Sequence, residues 1–578
     1  MSKGRHLGAA MLLSLLCGGH ALAQAIERNL PPEIQHGASV ILTPAVTPMD
    51  RDDHALGPKL TAIVVLGPQE TVRPAPPAAA VDLAQASRVN TPTLRKRLQR
   101  FIGKPVSRKL IAEIEARIVQ AYRGAGFPLV SVSTPEQEIS SGVVQVRVIE
   151  FRLGTKTAPG AKDAAYVLSR VRATSGRPID TDTLAQDLDW LNRYPFRAVQ
   201  AAFSPGDTLG ATNLILQTTP TKPWSVYAGY ADSGSPLTGF DRYLAGATVA
   251  LPGLHDAYAS YQFTGSNDAL FSEGRPFNSA ADPLYISHSG RIVIPTLPRQ
   301  DVEASISYVQ SNEFGQFIAH QVTEEASLGY RSALSNLAAA LPGEAVVGVE
   351  AKRETGSTIF ADEPVQHGDV DVFQVYLGYS GQESDGLGHT SGDLTLHVSP
   401  GGITDRNTDA EFAVASQGRS RSAEYAYLSG DLTRSVQLPL GLTYNVNLIG
   451  QYAPNPVPLT EQIGLGGASL VRGYTLDDGV FDSGILTRNE LRAPSGLLLG
   501  RVVKGVQDGV QPFAFIDAGW AKNEYTHADA SPIGAGLGAD YQLGRHLTAD
   551  LTTAWALKQE GLTKSGQFRL ESRVTLTF

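Results

Sequence analysis

The sequence predicts a transmembrane β-barrel of about sixteen antiparallel strands over residues 222–578, preceded by two small α/β domains. Three observations predict it. An export signal opens the chain. Helical periodicity stops near Trp224 and alternation of apolar and polar residues replaces it. The last alternating segment ends on a phenylalanine, Phe578.

The export signal comes first. Lys3 and Arg5 precede an apolar stretch, 7–16, and then Ala21-Leu22-Ala23, the pattern of a secretory signal peptide, 1–23, cleaved after Ala23. Leu16 is bulky where a lipoprotein acceptor at Cys17 would want a small neighbour. Cleavage removes the one cysteine, and with it any disulfide, thiol nucleophile or cysteine metal site. It also removes Lys3 and Arg5, so the formal charge of −9 becomes two units more negative. An acidic balance argues against nucleic acid as a partner. Past residue 23 no apolar run approaches the ~18 residues of a spanning helix. The mature chain is therefore either soluble or a barrel.

Residues 24–57, broken by Pro31, Pro32, Pro44 and Pro48, read as a tail or linker. Asp50, Asp52, Asp53 and His54 match no familiar metal-ligand spacing and read as a solvated loop. The first α/β unit, 58–149, has a short apolar strand at 60–66 and a helix at 93–102. A second helix follows Ser107, with Leu110, Ile111, Ile114, Ile118 and Tyr122 on one face. Strands follow at 130–132 and 143–148. The second unit, 150–221, opens with a strand at Phe151 and Leu153 and a helix at 167–173. Asp180 caps the next helix, whose apolar face is Leu184, Leu188 and Leu191. Strands at 199–203 and 213–217 close it. Each unit reads β-α-α-β-β, a short internal repeat.

The barrel region alternates with period two. Val302, Ala304, Ile306 and Tyr308 oppose Glu303, Ser305 and Ser307; Leu442, Tyr444, Val446 and Leu448 oppose Thr443, Asn445 and Asn447. In the last segment Phe568, Leu570, Val574, Leu576 and Phe578 share a face, interrupted by Ser572. A soluble sandwich would alternate too. Export, charges recurring on one face and the apolar final strand favour the membrane, where backbone pairing requires a closed barrel. The region accommodates about sixteen strands at roughly 22 residues each with turns.

No catalytic constellation stands out: there is no Gly-x-Ser-x-Gly elbow and no His-Glu-x-x-His helix. Residues 464–474 read Gly-Leu-Gly-Gly-Ala-Ser-Leu-Val-Arg-Gly-Tyr. The run lacks the lysine of a phosphate loop, and its glycines suit a chain folding inward through a crowded lumen. It delivers one cation, Arg472. A second fragment, Phe515-Ile516-Asp517-Ala518-Gly519, carries one carboxylate on a predicted strand. Arg472 and Asp517 could form a latch between loop and wall. Alternatively, Arg472 is an exposed loop charge and Asp517 lines a wet pore.

Together these features resemble the two-partner secretion transporters (TpsB type), relatives of the outer-membrane insertase within one superfamily. The resemblance runs from about residue 58 onward. It rests on Val471-Arg472-Gly473-Tyr474, on Phe515-x-Asp517-x-Gly519, and on the doubled module, which resembles tandem POTRA domains. The resemblance implies POTRA domains at 58–149 and 150–221 that capture an unfolded exoprotein. It implies a sixteen-stranded outer-membrane barrel that passes the client outward, and a loop, 453–483, folded into the pore with Arg472 facing Asp517. It further implies no enzymatic activity, no cofactor and no metal. The expected partners are the secreted client, outer-membrane lipid and the barrel-assembly machinery, for which Phe578 is the expected signal; the expected state is a monomer. A short plug near 25–30 is a family expectation that Pro31-Pro32 would interrupt. The stretch Gly479-Val-Phe-Asp482-Ser-Gly484 departs from the family's acidic-after-glycine pattern. The rival functions are an insertase, whose relatives usually carry more POTRA domains, and a passive porin or receptor, which leaves Arg472 and Asp517 without a purpose.

Overall fold

The computed structural model describes residues 27, 29–31, 41–42, 50–74, 77–208, 210–314, 317–361, 363–503 and 505–578. The signal segment and most of 24–57 lie outside them. The described residues divide into two compact units, one running up to residue 221 and the other 222–578 together with 27 and 29–31.

The first unit holds two lobes. In the first, β1 (Ala62–Leu66) is buried throughout and pairs in parallel with β3 (Val143–Glu150), which pairs antiparallel with β2 (Val130–Ser133). Helix α1 (Pro92–Gln99) starts where Thr91 accepts from the Leu94 amide at 3.2 Å and proline takes the first helical position. It ends before the expected residue 102, because the chain turns there into Gly103 at φ 87°. In α2 (Arg108–Gly124) Ser107 accepts from the Leu110 amide at 3.1 Å, and Leu110, Ile114, Ile118 and Tyr122 enter the core. The Tyr122 hydroxyl donates to Glu150 at 2.8 Å; burial, then that hydrogen bond, raise its pKa well above the usual phenol range.

The second lobe repeats the order with β4 (Arg152–Thr157), α3 (Ala164–Ser169), α4 (Thr181–Asn192), β5 (Arg197–Pro205) and β6 (Ala211–Pro220). Asp180 caps α4, accepting from the amides of Asp182 and Thr183 at 3.0 and 3.2 Å. The helix expected at 167–173 lies earlier, because Lys156 takes the Leu168 and Val171 carbonyls at 3.0 and 2.8 Å and ends it. Ordered pairing also begins upstream of residue 58. Ala55–Lys59 pairs with Pro105–Ser107, Asp53 accepts from Ser107 and Lys109 at 3.2 Å, and Ile41–Leu42 adds in parallel to Ala201 and Ala202 of β5.

The second unit is a closed antiparallel barrel of sixteen long strands. In order they are β7 (Trp224–Ser235), β8 (Gly239–Ala250), β9 (Tyr258–Gly265), β10 (Tyr285–Pro295), β11 (Gln300–Phe314), β12 (Phe317–Ala333), β13 (Glu344–Phe360) and β14 (Glu363–Ser384). There follow β15 (Gly388–Pro400), β16 (Glu424–Gln437), β17 (Thr443–Tyr452), β18 (Ser483–Arg492), β19 (Asp508–Lys522), β20 (Ile533–Leu543), β21 (Leu547–Ala556) and β22 (Phe568–Thr577). Closure is by β7 on β22, with Tyr227 opposite Thr577 and Ala231 opposite Arg573.

The two faces are inverted relative to a soluble sheet. Ile306 is 65% exposed while its neighbour Ser307 is 8%. Leu328, Leu377, Leu537, Leu551 and Leu570 face outward, whereas Gln262, Ser289, Gln374, Asn445 and Glu490 are buried inward. An apolar outer band with a polar interior suits lipid as the outer solvent and excludes the sandwich.

Candidate functional site: the lumen loop and its anchors

Between β17 and β18 the chain leaves the wall for some thirty residues, 453–482, and much of that loop is buried. Two-residue strands, Ile463–Gly464 and Val480–Phe481, close its neck. Apolar side chains fill the space beneath it: Ile463, Leu470, Val471 and Tyr474 pack with Ile449, Leu486 and Ala556 of the wall.

The ionic anchor follows from strand periodicity. On β18, Arg488, Glu490 and Arg492 project into the lumen; on β19, Phe513, Phe515 and Asp517 do the same, with Glu490 opposite Phe515 and Arg488 opposite Asp517. Arg472 reaches this surface from the loop. Its Nε and Nη2 donate to the two Asp517 oxygens at 2.7 and 2.8 Å, and its backbone amide donates to Oδ2 at 3.2 Å. Its Nη1 donates to Glu490 Oε1 at 2.6 Å. The other Glu490 oxygen accepts from Arg492 Nε at 2.8 Å, and Arg492 also pairs with Asp540. The Arg472 guanidinium lies 3.7 Å from the Phe515 ring centroid. Arg472 is 2% exposed and Asp517 0%, so the exposed-charge reading of Arg472 does not hold.

A row of glycines on β20 makes room for this. Gly534, Gly536 and Gly538 stand opposite Asp517, Phe515 and Phe513. A Cβ at Gly536 would lie 2.7 Å from the Phe515 ring, and one at Gly538 2.2 Å from the Phe513 ring. Sequence reasoning passed over this row, although a glycine at every second strand position signals a close approach. Gly473 turns the loop at φ 95°, and a Cβ at Gly519 would lie 2.3 Å from Leu486. Tyr474 is wholly buried; its hydroxyl donates to the Lys558 carbonyl at 2.7 Å and accepts from the Ile533 amide at 3.2 Å.

The sequence gives no partner for the other loop carboxylates. Asp478 accepts from the Thr563 amide at 2.7 Å. Asp482, in the stretch that departs from the family pattern, is fully buried and accepts from Arg419 at 3.0 Å and from the Val457 and Glu524 amides at 2.9 Å. Phe578 is not brought to this site. It pairs with Val226 at the seam, its amide donating at 2.9 Å, and its side chain is 57% exposed. Of the short plug expected at 25–30, Glu27, Asn29 and Leu30 are described and are not helical. Glu27 accepts from Arg242 at 3.0 Å, and Asn29 donates to the Tyr285 hydroxyl at 2.7 Å.

The sequence and the fold have known counterparts. The family model for haemolysin secretion/activation proteins of the ShlB/FhaC/HecB type matches residues 344–541, and the ShlB-type POTRA domain matches 77–150. The chain matches this family of secretion/activation proteins across the centre of its barrel and across its first α/β lobe. Among its relatives, the heme/hemopexin transporter protein HuxB of Haemophilus influenzae is 23% identical over 70% of this chain and 69% of its own. The hemolysin transporter protein ShlB of Serratia marcescens is 25% identical over 55% and 54%. The solved structure of CdiB from Escherichia coli shares the fold, with a TM-score of 0.65 at 17% identity over 93% of both chains. The chain is an outer-membrane transporter for exoproteins, with its POTRA domains in the periplasm.

Proposed function

We propose that residues 58–149 and 150–221 are two POTRA domains that capture an unfolded exoprotein, and that loop 453–483 is the latch of the pore it then crosses. The observation that carries the latch is Arg472 held between Asp517 and Glu490 inside the lumen. A buried ion pair gains little net stability, because desolvation offsets attraction; its better use is to select one arrangement of the chain. A bidentate arginine–carboxylate contact is directional and suits that use. Capture has a physical route as well: an extended client can add as a strand to a sheet edge through backbone hydrogen bonds that tolerate varied sequence. The role is one of transport and not of catalysis. In this reading the transporter works as a monomer, and Phe578 is read by the barrel-assembly machinery when the chain inserts.

The test is co-expression with a candidate exoprotein encoded beside this chain. The client reaches the medium with the wild-type chain and is retained with Arg472→Ala, while the barrel still migrates as a folded, heat-modifiable species. A client exported equally well by Arg472→Ala and Asp517→Ala overturns the latch. A client exported without this chain, together with impaired assembly of other outer-membrane proteins in its absence, favours the insertase.

A further inference from the structure

The arm by which the loop enters the lumen carries a buried ionic contact of its own. Leu459–Glu461 forms one helical turn. Lys352 on β13 donates to Glu461 Oε1 at 2.6 Å, and both side chains are fully buried. The other carboxylate oxygen accepts from the Tyr427 hydroxyl on β16 at 2.6 Å and from Gln374 on β14 at 3.0 Å. Gln451 on β17 donates to the Glu461 carbonyl at 2.7 Å. Thr460 donates to Glu354 on β13, Glu350 lies 3.6 Å from Lys352, and His397 stacks on Tyr427 at 4.4 Å. Four wall strands therefore grip a single turn of the loop. None of them contributes to the Arg472 anchor, whose partners lie on β18 and β19.

A Lys–Glu pair with no exposure is a costly way to glue a loop to a wall. Both charges lose water, and the attraction returns little beyond that cost. Apolar residues of similar volume would hold the turn as well. What the pair adds is selectivity, because each charge left behind by the other's departure is strongly unfavourable. The turn has one good position, and leaving it requires both partners to find water or new partners at once.

We infer that Glu461 and Lys352 are a second positioning pair for secretion, fixing the entering arm of the loop independently of Arg472, so that the pore clears only when both holds release. This rests on the reading of loop 453–483 as a latch. Neither residue touches the client in this role; they act through the loop.

The test uses the purified full-length chain in planar lipid bilayers with potassium chloride as the probe. The neutral double variant Lys352→Met/Glu461→Gln removes both charges of the pair and keeps an acceptor for Tyr427, while Glu350, which loses Lys352, keeps the hydrogen bond from Gln374. Heat-modifiable migration reports whether the barrel is folded, a readout separate from current. The expected result is a folded barrel whose open fraction rises about tenfold, with Arg472→Ala adding a further rise when combined, as independent sites do. A folded double variant with wild-type current, beside an Arg472→Ala variant that does open, overturns the second pair and leaves the latch standing. A double variant that cannot fold overturns it too, since the pair would then serve the barrel and not the loop. Wild-type currents from every variant overturn the latch and this inference together.

Discussion

Gly534 leaves the space that the Arg472 carbonyl occupies: a Cβ on Gly534 would lie 1.9 Å from that oxygen. The loop backbone is thus pressed against β20 at the residue that makes the ionic anchor. Gly534→Ala tests docking without touching a charge. Neither backbone can move aside cheaply, so the variant should lose docking while Arg472, Asp517 and Glu490 all remain. The expected outcome is retention of a co-expressed client and protease cleavage within 464–474, with the barrel still heat-modifiable. Intact, protected loop in Gly534→Ala would contradict the geometry.

Arg472 serves two carboxylates at once. Removing one partner of a buried pair costs about 3–5 kcal/mol, because the other is left charged and unpaired. Arg472→Ala and Asp517→Ala should each reduce export at least about tenfold. Arg472→Lys should recover only part, since a lysine is a point charge without the planar fork that reaches Asp517 and Glu490 together. Secretion assays on the three variants, normalised to folded barrel, give the order.

Tyr474 makes a quieter prediction. Its hydroxyl meets the Ile533 amide and the Ile533 and Lys558 carbonyls. Tyr474→Phe keeps the packing but takes this partner from the Ile533 amide and the Lys558 carbonyl, at a cost of about 1–3 kcal/mol. Loop protection in a limited-proteolysis time course should fall, by less than with Gly534→Ala.

In the first POTRA lobe the Tyr122 phenol has a raised pKa in the folded state, from burial and from Glu150. A group whose folded pKa is raised stabilises fully below its unfolded pKa, about 10, and loses that contribution as pH climbs toward the folded value. Urea unfolding of this lobe should therefore show a stability loss above about pH 10 that Tyr122→Phe lacks. Ser107→Ala should cost the same lobe about 1 kcal/mol at neutral pH by deleting the cap of α2.

Much of this was legible in the chain, for local reasons. Ser107 and Asp180 announce their helices because capping is a contact over three residues. Ile306 and Ser307 announce opposite faces because strand periodicity is fixed. Arg472 and Asp517 stood out through two short motifs. What stayed hidden depends on pairing distant charges. Lys352 meets Glu461, and Arg419 meets Asp482, with nothing in the intervening sequence to couple them. The helix at α3 was misplaced because its end is set by Lys156, a residue on the preceding strand. The role of the β20 glycines appears only once the loop is laid against them.

The inner face of β9 to β12 presents Ser260, Gln262, Thr264, Ser287, Ser289, Ser307 and Thr323, all buried from bulk solvent. Small hydroxyls and amides make a low-friction surface. A sliding polypeptide would find exchangeable hydrogen-bond partners there, beside a few buried apolar groups, Tyr258, Tyr285, Val293 and Val309. One apolar patch of the lumen is the underside of the loop, around Leu470 and Val471, and it is sealed while the loop is docked. An adhesive patch uncovered when the loop leaves would place a pause in transit at the moment the loop moves.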